Sequence, residues 1–112
     1  MRGIVTIKKN HEFRRLYSKG KVYTAPALIT YTAKNRLGVT RIGITTSKKI
    51  GGAVARNRAR RVIREAYRLL RPEITPGRDL IFVARSRTTR VKSTEIYRVM
   101  KEQLKEAGVI VS

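Results

Sequence analysis

The chain has 112 residues, 41% of them hydrophobic, and its 27 lysines and arginines against seven acids give a formal net charge of +20. This length predicts a single domain, residues 1–112, with enough apolar side chains for a core, and the charge favours an anionic partner, either nucleic acid or an anionic membrane surface. The absence of cysteine excludes disulfides and thiolate metal sites. No apolar run approaches the roughly 18 residues of a membrane span, and no signal-peptide pattern opens the chain, so we expect a soluble cytoplasmic protein.

The first predicted element is a short helix that begins at Asn10, a suitable N-cap, and ends near Ser18. An arm over residues 1–9 precedes it, with apolar side chains available for packing. One face of the helix carries three large side chains at spacings of three and four residues: Phe13, Leu16 and Tyr17. Aromatic residues at this spacing more often pack in a core than bind a ligand, and the pattern alone leaves both roles open.

The chain then changes to the two-residue period of β-strands. We predict a short strand at Val22 and Tyr23, a longer one over residues 27–33 and a third over residues 41–46. Gly43 leaves one face of the third strand without a side chain, so another backbone or a ligand could approach closely there.

The strongest pattern in the chain is a helix that begins at Val54 and ends before Pro72, because proline disfavours helix in the residue that precedes it. At about 100° per residue, its apolar side chains fall in one arc roughly 120° wide. That arc comprises Ala55, Ala59, Val62, Ile63, Ala66, Leu69 and Leu70. The sequence therefore predicts a helix that packs one face against a core.

The opposite face of the same helix is a row of cations. It is predicted to carry Arg56, Arg60, Arg64, Tyr67 and Arg71, continued around the cylinder by Asn57, Arg61 and Arg68. Like charges four residues apart destabilise a helix, and a merely solvated face normally mixes both signs. A polyphosphate partner explains the row better. Lys48 and Lys49 precede the helix in a turn with Gly51 and Gly52, where free backbone N–H groups favour phosphate.

The remaining elements are a fully buried strand over residues 79–84, a basic loop over residues 85–92 and a helix from Ser93 to Gly108. A strand, a connecting helix and another strand in this order indicate a parallel pair. The whole chain therefore predicts an α+β fold, a single mixed sheet of about four strands packed with helices in the order α-β-β-β-α-β-α, with a parallel crossover through the arginine-rich helix.

Nothing in the sequence points to a catalytic site within the chain. A metal-dependent nuclease needs several carboxylates that converge on one or two cations, whereas the seven acids here are scattered along the chain among basic neighbours. There is one histidine, and no serine has the sequence context of a catalytic nucleophile. The chain alone is therefore interpreted as an RNA-binding protein that uses phosphate contacts and base stacking.

Several of these residues resemble the signature of the bacterial ribonuclease P protein subunit. The matching segments are Arg41 to Ile44, Ser47 to Gly51 and Ala53 to Glu65, and within the last of them Arg56, Asn57 and Arg58 resemble the arginine–asparagine–arginine motif of that family. Phe13, Tyr17, Gly20 and Tyr31 also fall where the family places equivalent residues. Gly52, Arg60 and the short apolar tail depart modestly from the family pattern.

The resemblance implies a division of labour between protein and RNA. The catalytic RNA would hydrolyse precursor tRNA at the 5′ end of the mature sequence, with Mg²⁺ held by RNA phosphates and no metal held by the protein. The protein would bind that RNA through Lys48, Lys49, Arg56, Asn57, Arg58, Arg60, Arg61, Arg64 and Arg68. The 5′ leader would lie in a cleft lined by Phe13, Tyr17 and Tyr31. The family also has a left-handed crossover between its last two strands.

Two other functions stay open from the sequence. Basic composition alone favours a ribosomal or other structural RNA-binding protein, since such proteins are common. A stand-alone nuclease is disfavoured by the scattered acids. By the resemblance, no membrane and no further protein partner would be required.

Overall fold

The computed structural model describes residues 4–110, so the start of the predicted arm and the end of the apolar tail lie outside the described residues. The described chain forms one mixed sheet with three α-helices. In chain order the elements are β1 (Val5–Thr6), α1 (Asn10–Lys19), β2 (Lys21–Ala25), β3 (Leu28–Lys34), β4 (Arg41–Thr45), α2 (Ala53–Leu70), β5 (Arg78–Ala84) and α3 (Ser93–Glu106). Short 3₁₀ turns cover Lys48–Ile50, Arg71–Glu73 and Ser86–Arg90. The predicted α+β fold is confirmed, and from α1 onward the helices and strands follow the predicted order.

The prediction of about four strands was one short, because β1 adds a fifth. This strand has two residues and pairs in parallel with β4, placing Val5 beside Arg41 and Thr6 beside Ile42. The N–H of Ile7 extends the pairing by donating to the carbonyl of Ile42 at 2.8 Å. Two residues are too few to show an alternating pattern, so the sequence revealed only an arm with packable side chains.

The strand order across the sheet is β1-β4-β5-β3-β2. β4 and β5 are parallel neighbours joined by α2, which confirms the predicted parallel crossover, while β3 pairs with β5 and β2 pairs with β3 antiparallel. Parallel neighbours cannot be joined by a tight turn, and α2 supplies the connection.

The hand of this crossover follows from the pairing of Ile42. Its side chain packs in the core shared with α2, and its carbonyl accepts a hydrogen bond from Ile7 on the β1 side. In a strand of L-residues that runs upward with the side chain toward the viewer, that residue's N–H and C=O point right. β1 therefore lies to the right of β4 and β5 to its left, with α2 in front. The crossover is left-handed, against the usual rule and as the resemblance implied.

The main core lies between the sheet and the two longer helices. Its fully buried side chains include Leu28, Leu80 and Phe82 from the sheet, Ile63 and Leu70 from α2, and Ile96, Met100 and Leu104 from α3. One buried polar contact joins α3 to the sheet: Thr30 donates to the Oε1 of Gln103 at 2.7 Å, and the amide of Gln103 donates to the carbonyls of Tyr23 and Leu28 at 3.0 Å. Such satisfied polar contacts fix how a helix sits on a sheet.

For two residues of α2, the structure reverses the predicted assignment to the buried or the exposed face. Tyr67, predicted on the basic face, is only 3% exposed and packs against Phe82 with ring centroids 5.8 Å apart. Leu69, predicted in the apolar arc, is 46% exposed. The buried arc is rotated toward Tyr67 because the large ring fills space over β5, a contact that helical spacing alone does not reveal.

Among residues 4–110, α1 is the helix that covers the other face of the sheet. The cluster there has three buried residues, Ile7, Leu16 and Ile81, with Phe13, Tyr31, Ala33 and Val83 partly buried around them. A single ten-residue helix cannot cover a five-stranded sheet, so part of this face stays accessible. The accessible part adjoins the residues predicted to bind RNA.

Candidate nucleic-acid interface

Phe13, Tyr17 and Tyr31, the three aromatic residues expected to line a cleft, form one cluster. α1 supplies the first two and β3 supplies Tyr31. The rings of Tyr17 and Tyr31 meet edge to face with centroids 4.9 Å apart, and those of Phe13 and Tyr17 lie 6.4 Å apart at 45°. Tyr17 is 39% exposed and the other two are half-buried. The cluster therefore combines packing with an accessible aromatic surface of the kind on which nucleic-acid bases stack.

Gly43 was expected to admit another backbone or a ligand, and the structure instead shows a side chain of the same chain there. A Cβ at position 43 would lie 2.6 Å from the Cζ of Phe13, closer than such atoms approach. The ring of Phe13 therefore occupies the space that the missing side chain leaves on β4. Tyr17 makes a second contact with the same strand through a 2.7 Å hydrogen bond between its hydroxyl and the hydroxyl of Thr45.

A cavity of about 520 Å³ at the β1–β4 side of the sheet joins the aromatic cluster to the arginine helix. Phe13 lines one part of it, and Arg60 and Arg64 of α2 line another, with Gly43 and Ile44 between them. A groove of this kind, with an aromatic ring at one end and guanidinium groups at the other, presents both features used to bind unpaired nucleotides.

The outward face of α2 carries the side chains that are most available to a partner. Asn57, Arg61 and Arg64 are exposed, as are Lys48 and Lys49 in the preceding 3₁₀ turn. Gly52 follows the turn at the N-cap position of α2, and no side chain in the described part of the chain caps this end of the helix. Free N–H groups at a helix start carry partial positive charge. The lysines and the start of α2 therefore form a surface suited to phosphate.

Three arginines predicted in the basic surface donate hydrogen bonds to the chain's own oxygen atoms. Arg56 donates to the carbonyl of Gly51 at 3.2 Å. Arg60 donates to the carbonyl of Ile44 and to the hydroxyl of Thr46, at 3.3 and 2.8 Å. Backbone carbonyl dipoles thus offset part of the repulsion within the row, without acidic side chains.

The third, Arg58, donates to two backbone carbonyls. Its Nε donates to the carbonyl of Thr89 at 3.0 Å and its Nη2 to the carbonyl of Val91 at 3.1 Å. These bonds attach the start of α2 to the turn Ser86–Arg90. Arg68 is also engaged, in an exposed ion pair with Glu65. The sequence did not reveal these partners, because backbone acceptors leave no trace in residue identity.

The sequence also gave no sign of the charged network beneath α1. Arg41 donates to Glu12 at 2.8 Å and, through two nitrogens, to Asp79 at 2.8 and 3.0 Å. Asn35 donates to the same Asp79 carboxylate at 2.7 Å. Glu12, Arg41 and Asp79 are far apart in sequence, so only the fold brings them together.

This network shifts the protonation of its members. Burial alone would raise the pKa of Asp79, but the hydrogen bonds from Arg41 and Asn35 outweigh it and hold that pKa below its usual range. The hydrogen bond from Arg41 also lowers the pKa of Glu12. Hydrogen bonding to Asp79 is the main reason why the pKa of Arg41 is raised.

Among residues 4–110, no group of three or more histidine, cysteine or acidic side chains is arranged to hold a metal ion. Within the same part of the chain, no helix is long and apolar enough to cross a membrane. The two acids nearest the aromatic cluster, Glu12 and Asp79, already share Arg41. Their oxygens are therefore poorly suited to bind Mg²⁺.

The fold and this surface define an α+β RNA-binding protein with a left-handed crossover, a basic connecting helix and an aromatic cluster. Comparison with known proteins identifies which one. The family profile described as Ribonuclease P matches residues 1–108, and the chain therefore belongs to the ribonuclease P protein family. Its role is that of the protein component in tRNA 5′ processing with an RNA subunit. The family suggested by the sequence is confirmed, and the ribosomal alternative is not supported.

Individual relatives agree with this assignment. The chain is 41% identical over 104 residues to the ribonuclease P protein component of Clostridium botulinum (strain Loch Maree), covering 92% of this chain and 94% of the relative. It is 49% identical over 86 residues to that of Thermoanaerobacter sp. (strain X514), covering 77% and 74%.

Solved structures extend the agreement to the fold. The RNase P protein of Staphylococcus aureus has a TM-score of 0.83 and 34% identity, with 95% of this chain and 97% of that chain covered. The RNase P protein of Thermotoga maritima has a TM-score of 0.80, with 90% and 96% covered. At 24% identity, the second likeness shows the fold alone.

Proposed function

We propose that this protein binds the catalytic RNA of ribonuclease P through the outward face of α2 and receives the 5′ leader of precursor tRNA at the aromatic cluster. The observation that carries the proposal is the cavity lined by Phe13 at one end and by Arg60 and Arg64 at the other. A single strand that enters it meets an aromatic ring and guanidinium groups together, which suits stacking and phosphate contact at once.

The proposed contacts with the catalytic RNA are divided by what each side chain does in the structure. Exposed side chains with free donors would contact phosphates directly: Lys48, Lys49, Asn57, Arg61 and Arg64. Arg58 would instead hold the turn Ser86–Arg90 beside that surface, because its donors are used by the carbonyls of Thr89 and Val91. That turn carries exposed Arg87 and Arg90, so its position affects the local density of positive charge.

The protein is a component of an endoribonuclease complex, and we propose that the catalytic groups lie in the RNA. The donor set of the described chain does not fit Mg²⁺, since Glu12 and Asp79 are paired with Arg41. Phosphate oxygens of RNA are ligands that Mg²⁺ accepts readily. The protein would contribute binding and orientation of the substrate, and it would act in the cytoplasm.

Reconstitution tests the proposal directly. The protein is mixed with a ribonuclease P RNA and end-labelled precursor tRNA at a Mg²⁺ concentration too low for the RNA alone. We expect cleavage at the 5′ end of the mature tRNA only when both components are present. The control substrate is the same tRNA without a leader. Cleavage by the protein without RNA, or none with RNA, would contradict the proposed division of labour.

A further inference from the structure

Three alternate residues of β4 contact three residues of α1. Arg41, Gly43 and Thr45 share the sheet face that α1 covers, because side chains on one face of a strand recur every second residue. Arg41 binds Glu12, the space at Gly43 is filled by Phe13, and the hydroxyl of Thr45 binds that of Tyr17. Two of these three partners belong to the aromatic cluster.

These contacts add to the packing of α1 on β3 and β5, where Leu16 lies in a cluster with Ile81 and the ring of Tyr17 meets that of Tyr31. Leu16 is its only buried residue within the described chain. One buried leucine holds a helix against a sheet without defining its rotation or its position along the strand. The three β4 contacts differ in kind, namely an ion pair, a ring over a bare backbone and a hydrogen bond, and together they define both.

The ion pair is the most rigid of the three contacts. Arg41 binds Asp79 on β5 through two nitrogens, and these two bonds fix the plane of the guanidinium. A third nitrogen of the same group binds Glu12. Arginine forms such paired bonds where lysine, with a single ammonium, cannot. Glu12 directly precedes Phe13, and this contact therefore sets the position of the first aromatic residue.

We propose that Arg41, Gly43 and Thr45 are positioning residues for leader recognition: one face of β4 sets where α1 presents Phe13 and Tyr17 to RNA. They act through α1 and not by contact with the leader. The inference rests on the proposed function, since it assumes that the aromatic cluster receives the leader. It predicts that changes in β4 alter the preference for precursor over mature tRNA while assembly with the catalytic RNA persists.

The hydrogen bond between Thr45 and Tyr17 provides the sharpest test. The measured quantity is the ratio of the affinities of the reconstituted holoenzyme for precursor and mature tRNA. Thr45→Val removes the hydroxyl at nearly constant shape, and we expect the ratio to fall by about two- to tenfold, the range that one hydrogen bond supports. Thr45→Ser restores the hydroxyl and should restore the ratio. Thr94→Val, at an exposed site of α3, is the matched control and should leave the ratio unchanged.

A double substitution separates positioning from direct contact. Tyr17→Phe keeps the ring and loses the same hydrogen bond, so it should resemble Thr45→Val, and the double variant should be no worse than either single one. If the fold-losses of the two single variants multiply in the double variant, each hydroxyl acts independently and the proposed positioning is overturned. It is likewise overturned if Thr45→Val leaves the ratio unchanged.

Gly43→Ala tests the contact between β4 and Phe13. The added Cβ would lie 2.6 and 2.7 Å from two ring carbons of Phe13, so the ring must move. We expect the ratio of precursor to mature tRNA affinity to fall by about tenfold, at the upper end of the range for Thr45→Val. Affinity for the catalytic RNA should stay within about twofold of the original. Equal losses toward precursor tRNA, mature tRNA and catalytic RNA would mean that the variant is misfolded as a whole and would contradict the proposal.

Tyr31→Ala distinguishes failure of this inference from failure of the proposed function. Tyr31 belongs to β3 and makes none of the three contacts between β4 and α1, although its ring packs against that of Tyr17. If Tyr31→Ala lowers the ratio and the β4 variants do not, the leader site stands and the positioning role falls. If Tyr31→Ala has no effect on the ratio, the leader assignment fails and the positioning role fails with it.

Discussion

The two faces of the sheet are built by different means. The face toward α2 and α3 is covered by two long helices over a continuous apolar core that includes Phe82 and Leu80. In the described chain, the face toward α1 has one short helix over a small apolar cluster, and an ion pair, a ring over Gly43 and a hydrogen bond join that helix to β4. The first arrangement supplies stability through burial. The second leaves aromatic surface accessible and sets its position, which a binding site requires.

The largest effect should come from the helix-covered face. Phe82 is fully buried and packs against Tyr67. Phe82→Ala removes a large side chain from the main core and should lower the free energy of unfolding by about 3–5 kcal/mol. Urea denaturation measures this value. Val83→Ala, on the opposite face of the same strand, is the comparison and should cost much less. Equal costs would contradict the contrast between the faces.

On the α1 side, the expected effect is on binding. Tyr31→Ala should weaken affinity of the holoenzyme for precursor tRNA by about 1–3 kcal/mol, the typical contribution of one base–aromatic contact. Affinity for mature tRNA should change little. Tyr97→Ala, a partly buried tyrosine of α3, controls for the loss of a ring. If the melting temperature falls steeply and both tRNAs lose affinity equally, Tyr31 serves only in packing.

A smaller effect distinguishes the arginines of α2 from one another. Exposed Arg64 should contact a phosphate, so Arg64→Ala should reduce the slope of log affinity against log salt by about 0.7–0.9. Arg58 is bound to Thr89 and Val91, so Arg58→Ala should weaken binding with nearly the original slope. Affinity of the protein for the catalytic RNA, titrated at several salt concentrations, measures both. A reduced slope for Arg58→Ala would assign it a direct phosphate contact.

The smallest expected effect is a loss of stability at low pH. The lowered pKa values of Glu12 and Asp79 mean that both carboxylates stabilise the fold above their unfolded pKa values, about 4.3 and 3.9. That stabilisation is lost as the pH falls through the folded pKa values. The melting temperature should therefore decline below about pH 4. Glu12→Gln should flatten the decline, whereas Glu102→Gln, at an exposed site of α3, should not.

Sequence reasoning succeeded where local pattern determines structure. The helical period placed α2 within one residue of its start, and alternation located β3 and β4. The joining of Phe13, Tyr17 and Tyr31 into one cluster was anticipated through the family resemblance. The spacing alone did not distinguish core packing from ligand binding for Phe13 and Tyr17. Their face of α1 packs against the sheet at Leu16 and is exposed at Tyr17.

What the sequence did not reveal depends on contacts between distant residues. The partners of Arg58 are backbone carbonyls about thirty residues away, and the network of Arg41 joins three separate elements. Tyr67 was misplaced because its burial depends on Phe82 in another strand. β1 was missed because it has only two residues. Each failure involved tertiary contacts that neither periodicity nor composition encodes.

The contact between Gly43 and Phe13 also has a consequence for how this fold varies among sequences. The two positions share one volume, so a chain that gains a side chain at position 43 must shrink or move the ring at position 13. Helix α1 and strand β4 should therefore change in pairs, and a pairwise substitution map would show coupling between positions 13 and 43. Exchange of α1 between distant homologues should fail unless β4 is exchanged with it.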